Sequence, residues 1–158
     1  MESVRAEILQ SHSPYIAAAR IDISAPATQI FDLLADPRCH ALFDGSGTIQ
    51  GSISGPVRLH LGAKFGMAMK IKVPYRITNT VVAFEEGRTI TWCHLMKWTW
   101  SYELADLGNG QTRVTETFDA SNIPWFAEKW LNITGAMKYN PKSIAKTLVR
   151  LKAICESN

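Results

Sequence analysis

Every large side chain between Ile90 and Leu104 stands at an even position: Ile90, Trp92, His94, Met96, Trp98, Trp100, Tyr102 and Leu104. Thr89, Thr91, Thr99, Ser101 and Glu103 lie between them. Alternation of this length sends successive side chains to opposite faces, so the segment predicts antiparallel strands with one aromatic face. Tryptophans, a tyrosine and a histidine make that face bulkier and more polar than a plain sheet core requires. It reads as the wall of a ligand pocket.

The chain has 158 residues, enough for one domain that buries a core without covalent staples. Cys39, Cys93 and Cys155 share no close spacing and no histidine pattern, which argues against a disulfide framework or a zinc site and for reduced thiols. Residues 1–19 lack the apolar run of a signal peptide, and no stretch approaches the roughly 18 apolar residues of a membrane span. The expectation is a soluble cytoplasmic protein, with residues 1–14 as a loosely packed N-terminal extension.

The net charge of +3 is mild, and its cations are scattered. Lys142, Lys146, Arg150 and Lys152 read as the wet side of a helix. No nucleic-acid motif, P-loop or glycine-rich dinucleotide loop is present. Nucleic acid is therefore not an expected partner, and no cofactor or metal is implied.

A first strand is expected over Ala17 to Ser24, followed by a helix opened by Pro26 and stopped at Asp36-Pro37. Pro37 begins a second short helix to about Phe43. After a glycine-rich region come expected strands over Lys64 to Ile71, Tyr75 to Glu86, Arg88 to Leu95, Trp98 to Leu107 and Thr112 to Ala120. From Pro124 the period turns helical. Asn140-Pro141 suits a helix start, so a firm helix is expected from Pro141 to Cys155. Pro124 to Tyr139 reads as a looser helix over the pocket mouth, bringing Trp130 and Met137 to the ligand.

Turn lengths set the expected register, because directly opposed residues share a face. A two-residue turn at Glu86-Gly87 pairs Ala83 with Ile90, Val81 with Trp92 and Asn79 with His94. A loop Met96-Lys97-Trp98 pairs His94 with Trp100 and Trp92 with Tyr102, and Gly108-Asn109-Gly110 pairs Tyr102 with Glu116 and Trp100 with Phe118. Two inner rows result: Asn79, His94, Trp100, Phe118, and Val81, Trp92, Tyr102, Glu116. Met67 and Met69 add adaptable apolar surface beside them. A buried Glu116 either takes up a proton or finds a partner, and the Tyr102 phenol opposite offers one. The cluster is a satisfied structural pair or a binding site, and His94 is a buried neutral histidine or a ligand contact. His40 and Asp44 could reach the mouth or act as caps and solvated groups. His12 and His60 read as exposed.

This order of elements resembles the START-like helix-grip superfamily. Resemblance is closest to small actinobacterial-type members of its polyketide cyclase/dehydrase group, in Ala25-Pro26-Ala27, Phe31 through Pro37, Asp44 through Thr48, Leu61 through Met67, Val73 through Arg76 and Thr112 through Phe118. It implies an α+β fold: a strongly curved antiparallel sheet of about seven strands around a long C-terminal helix, two short helices between the first and second strands, and an apolar cavity. The implied partner is a hydrophobic small molecule, held by Met67, Met69, Asn79, Val81, Trp92, His94, Trp100, Tyr102, Glu116, Phe118, Trp130 and Met137. The alternative is a polyketide cyclase or dehydratase, with His94 as acid or base, Tyr102 polarising a carbonyl and Glu116 orienting the phenol. A third reading is a stress-related or regulatory protein acting through its surface, as monomer or homodimer.

Overall fold

Alternation and turn chemistry place eight antiparallel strands in one open sheet in the computed structural model, which describes residues 3–157. The strands are β1 (Glu7–Leu9), β2 (Ile16–Ile23), β3 (Ile49–Ser54), β4 (Lys64–Ile71), β5 (Val73–Glu85), β6 (Thr89–His94), β7 (Thr99–Gly108) and β8 (Gln111–Asp119). Their spatial order is β1-β2-β8-β7-β6-β5-β4-β3. The extra strand over the expected seven is β1, which pairs Glu7 with Arg20 and Leu9 with Ala18 inside the segment expected to pack loosely.

Between β2 and β3 lie α1 (Ala27–Leu34), a 3₁₀ turn at Pro37–Cys39 and α2 (His40–Phe43). Ile30, Phe31 and Leu34 give α1 one buried stripe. Asp36 caps the 3₁₀ turn by accepting from the Arg38 amide at 3.0 Å. The chain closes with α3 (Trp125–Thr134) and α4 (Ala136–Glu156), and α4 lays Ile144, Leu148, Leu151 and Cys155 into the core against β2. Ala17 and Ala19 on β2 are buried, and their small side chains let the helix approach.

The helix break is at Gly135, not at Asn140-Pro141 as expected. Gly135 adopts a left-handed φ of 68° that glycine takes at little cost, ending α3 with its amide on the Leu131 and Asn132 carbonyls. Pro141 sits inside α4, where its missing N–H costs the Met137 carbonyl one partner without ending the helix.

Register follows expectation in the β7–β8 hairpin, in part in β5–β6, and departs in β6–β7. Asn79 opposes His94 and Val81 opposes Trp92, but Ile90 faces Phe84 rather than Ala83. The turn holds three residues, Glu86 to Arg88, and an irregularity between Val81 and Ala83 takes up the additional one. Tyr102 opposes Glu116 and Trp100 opposes Phe118 by the same device, a tight Asn109-Gly110 turn plus a shift between Asp106 and Gly108. Between β6 and β7 the expectation fails by two residues: Trp92 pairs with Trp100 and Ile90 with Tyr102. The loop is Leu95-Met96-Lys97, closed by the His94 amide on the Trp98 carbonyl at 2.9 Å, with Lys97 at φ 76°.

Candidate functional site

The corrected register builds different inner rows from those expected. One runs Val81, Trp92, Trp100, Phe118, Ala17, and the next runs Phe84, Ile90, Tyr102, Glu116, Ala19. His94 belongs to a row with Phe65 and Asn79 at the β6–β7 turn. It stands four residues along β6 from the partner of Tyr102, roughly 13 Å at strand rise. His94, Tyr102 and Glu116 therefore do not share one point, and the expected trio resolves into a pair and a separate histidine.

The pair is deeply buried. Glu116 is 3% exposed and its Oε2 has no hydrogen-bond partner. Burial pushes its carboxyl up to about 8; the Tyr102 hydroxyl opposes this and the nearby Asp44 charge adds to it. The carboxyl is thus largely protonated at neutral pH and able to donate. Burial and then the Glu116 charge hold the Tyr102 phenol well above its ordinary value, so it stays neutral too. Asn79, also buried, presents a second unpartnered oxygen, Oδ1.

Aromatic rings surround these groups. Trp92 lies 5.6 Å from Tyr102 between centroids, and Phe65 meets Trp92 edge-on at 5.7 Å. Phe118 packs against Trp100 at 4.7 Å. Met67 and Val81 are buried, whereas Met69, Trp100 and Met137 are half-buried at the margin of the core. Trp130 is half exposed on α3. A hollow of about 640 Å³ lies elsewhere, between the N-terminal segment and α4, lined by Ser3, Val4, Arg5, Ile21, Asp22 and Lys152.

His94 is half-buried, its ring stacked on Trp98 at 4.3 Å and 9°. Its Nδ1 accepts from the Met96 amide at 3.0 Å, which assigns the proton of the neutral ring to Nε2. Burial lowers its pKa.

Two residues left open by sequence reasoning prove central. His40 is buried, lies on Trp92 with centroids 4.9 Å apart, and donates from Nε2 to the Leu34 carbonyl at 2.8 Å. Asp44 accepts from the amide and hydroxyl of Ser46 at 3.0 and 2.6 Å and from the Ile49 amide at 2.9 Å. Arg150 donates to the Asp44 carbonyl, and the Gly45 amide donates to Thr147 Oγ1 at 2.8 Å, so this loop is clasped to α4. His12 and His60 are exposed as expected. The only advance signal for His40 was its place in a helix of one turn, where an apolar stripe is too short to read. Among the described residues, no cluster of three His, Cys, Asp or Glu could hold a metal ion, and no helix is long and apolar enough to cross a membrane.

No family model matches the chain. The uncharacterised protein Rv0088 of Mycobacterium tuberculosis is 40% identical over 134 residues, 83% of this chain and 60% of the relative. A second M. tuberculosis protein, MT0096, is 39% identical over the same span, so the chain covers about 60% of the length of the curated relatives it matches. Protein Ms6760 of Mycobacterium smegmatis superposes with a TM-score of 0.70 at 14% identity, covering 98% of this chain and 99% of the other. A Polyketide_cyc-like protein of Corynebacterium glutamicum gives 0.61 at 19% identity over 90% and 91%, and an AHSA1-like protein of Aeromonas hydrophila gives 0.55 at 20% over 87% and 93%. With the single open sheet and its long C-terminal helix, these likenesses identify an α+β helix-grip fold.

Proposed function

We propose that this chain binds a hydrophobic small molecule between the sheet and α4, with the protonated Glu116 carboxyl as the group that meets its polar end. The observation that carries this is the unpartnered Glu116 Oε2, buried among rings and held neutral, since buried polar atoms in folded proteins are nearly always satisfied. A ligand carbonyl or hydroxyl would satisfy it. Apolar contact with Trp92, Trp100, Phe118, Val81, Met67 and Met69 would supply most of the affinity, and Asn79 Oδ1 would accept from a ligand donor. The name of the C. glutamicum neighbour and the sequence resemblance both favour a polyketide or similar flat, oxygenated molecule. Rings pack closely in the present conformation, Trp100 against Phe118 at 4.7 Å, so binding requires side chains of this wall to change rotamer.

Native mass spectrometry of the protein as isolated tests this reading, followed by titration with oleic acid, cholesterol and emodin monitored by tryptophan emission. Binding of one of them, weakened at least about tenfold by Glu116→Leu and less by Glu116→Gln, is the expected result. A bare chain mass together with no response to all three would overturn it. A cyclase or dehydratase using His94 and Tyr102 on one carbonyl gains no support from a site in which they stand two rows apart.

A further inference from the structure

The strand pairings bring several separate segments to one end of the sheet. Thr99 opposes Asp119, and Asp119 opposes Ile16, so the β6–β7 turn, the end of β8 and the start of β2 lie together. The β4–β5 hairpin projects the same way, since β5 extends from Asn79, opposite His94, back to Val73. α3 begins just beyond β8 and is tied to this end by Tyr15 Oη donating to Glu128 at 2.7 Å.

What this end presents to solvent is unusual for a protein surface. α3 buries only Ala127 and Leu131, turning Phe126, Lys129, Trp130 and Ile133 outward at helical spacing, with Trp125 75% exposed beside them. The hairpin tips add exposed Ile71 and Val73 around Lys72, and Leu95, 82% exposed, next to Lys97. Large exposed apolar groups gathered in this way mark an interaction surface.

Its charge is one-sided. Lys70, Lys72, Lys97, Lys129 and Lys138 are exposed and enter no ion pair among the described residues. Two acids share this end, Glu128 accepting from the Tyr15 hydroxyl and Asp119 from the Ser121 amide, so the five lysines outnumber the acids five to two. Elsewhere several cations are paired, Arg20 with Glu7, Arg38 with Asp36, Arg58 with Asp32 and Glu86, Arg88 with Glu85, Arg113 with Asp22, and Lys152 with Glu156, while Lys64, Lys142 and Lys146 stand singly rather than beside exposed rings.

We infer that this end is a docking face for the surface of an anionic lipid bilayer. Tryptophan and phenylalanine favour the headgroup boundary, where an apolar body and a polar rim are both satisfied, and an outward amphipathic helix flanked by lysines is the form such contacts take. Unpaired lysines around the rings supply attraction to anionic headgroups. The inference is independent of what the interior binds.

Cosedimentation of the full chain with phosphatidylcholine vesicles, with and without phosphatidylglycerol, tests it. The expected result is binding to the phosphatidylglycerol vesicles, reduced about tenfold by Lys97→Glu with Lys129→Glu and by added salt. Trp125→Ser with Ile133→Ser should weaken it by at least a similar factor. These side chains are exposed, so unchanged far-ultraviolet circular dichroism is expected for each variant. Absence of sedimentation, equal binding to phosphatidylcholine alone, or indifference to both double variants would overturn the inference. So would self-association that the same variants abolish without any vesicle binding, which would assign the face to a second copy of the chain.

Discussion

His40 lies almost flat on Trp92, with ring centroids 4.9 Å apart and planes 21° from parallel, while its Nε2 reaches the Leu34 carbonyl at 2.8 Å. One residue thus joins the end of α1 to the middle of the sheet. His40→Ala leaves a cavity and an unpaired carbonyl, and is expected to cost about 3 kcal/mol in urea unfolding, whereas Trp92→Phe should cost less.

Burial also depresses the His40 pKa below its ordinary 6.5. The unfolded chain therefore binds more protons than the folded one below that value, so stability is lost as pH falls beneath about 6.5. His40→Gln should flatten this acid limb, as measured by urea midpoints across the pH range.

Glu116 has the opposite dependence. Its folded carboxyl titrates at about 8 against an ordinary 4.5, so between these values the folded state holds the extra proton and stability falls as pH rises. The slope from this group is at most about 1.4 kcal/mol per pH unit. Glu116→Gln should remove it and raise the melting temperature near pH 8, while leaving stability near pH 4 little altered. Below about pH 6.5 the His40 contribution opposes this slope, so the test lies above it: a wild-type profile flat from about pH 6.5 to 8 would contradict the buried, neutral carboxyl.

Gly45 is required by close approach rather than by backbone conformation. A Cβ there would stand 2.4 Å from the Ser143 carbonyl oxygen and from the Thr147 amide nitrogen, both backbone atoms of α4. Gly45→Ala must lift the loop from the helix and break the Gly45–Thr147 hydrogen bond. A loss of about 2 kcal/mol or more is expected in thermal unfolding. Gly47→Ala, with open space around it but φ at 70°, should cost about 1 kcal/mol.

Pro141→Ala should stabilise α4 by about 1 kcal/mol, because it restores a donor to the Met137 carbonyl in a helix that already continues through this position. Thermal melts of the two proteins decide this.

The aromatic alternation was legible because a period of two is a property of the strand alone, and the strands of the central sheet lie close to where it places them. Register depends on where a turn closes, which the alternation does not encode. Leu95-Met96-Lys97 and Met96-Lys97-Trp98 are both three-residue loops, and the choice between them, made by Lys97 taking a left-handed conformation, moved Tyr102 from Trp92 to Ile90. The Tyr102–Glu116 pair was readable through the glycine-marked turn. The stacking of His40 on Trp92 was not, since it joins residues 52 positions apart through tertiary packing. At Gly135 and Pro141 the stronger helix-breaking residue was the wrong guide, because a proline one turn inside a packed helix costs less than the contacts of that helix return.

Two hairpins pair a turn of one length with a strand irregularity that offsets it. Such a pairing makes loop length and facial identity separable. Removing Val82 alone, or one residue of Glu86 to Arg88 alone, would rotate part of β5 so that Val81 or Phe84 faced water. Removing both together would restore the alternation. These loops can therefore shorten or lengthen in coupled steps while the aromatic wall keeps the same side chains inward.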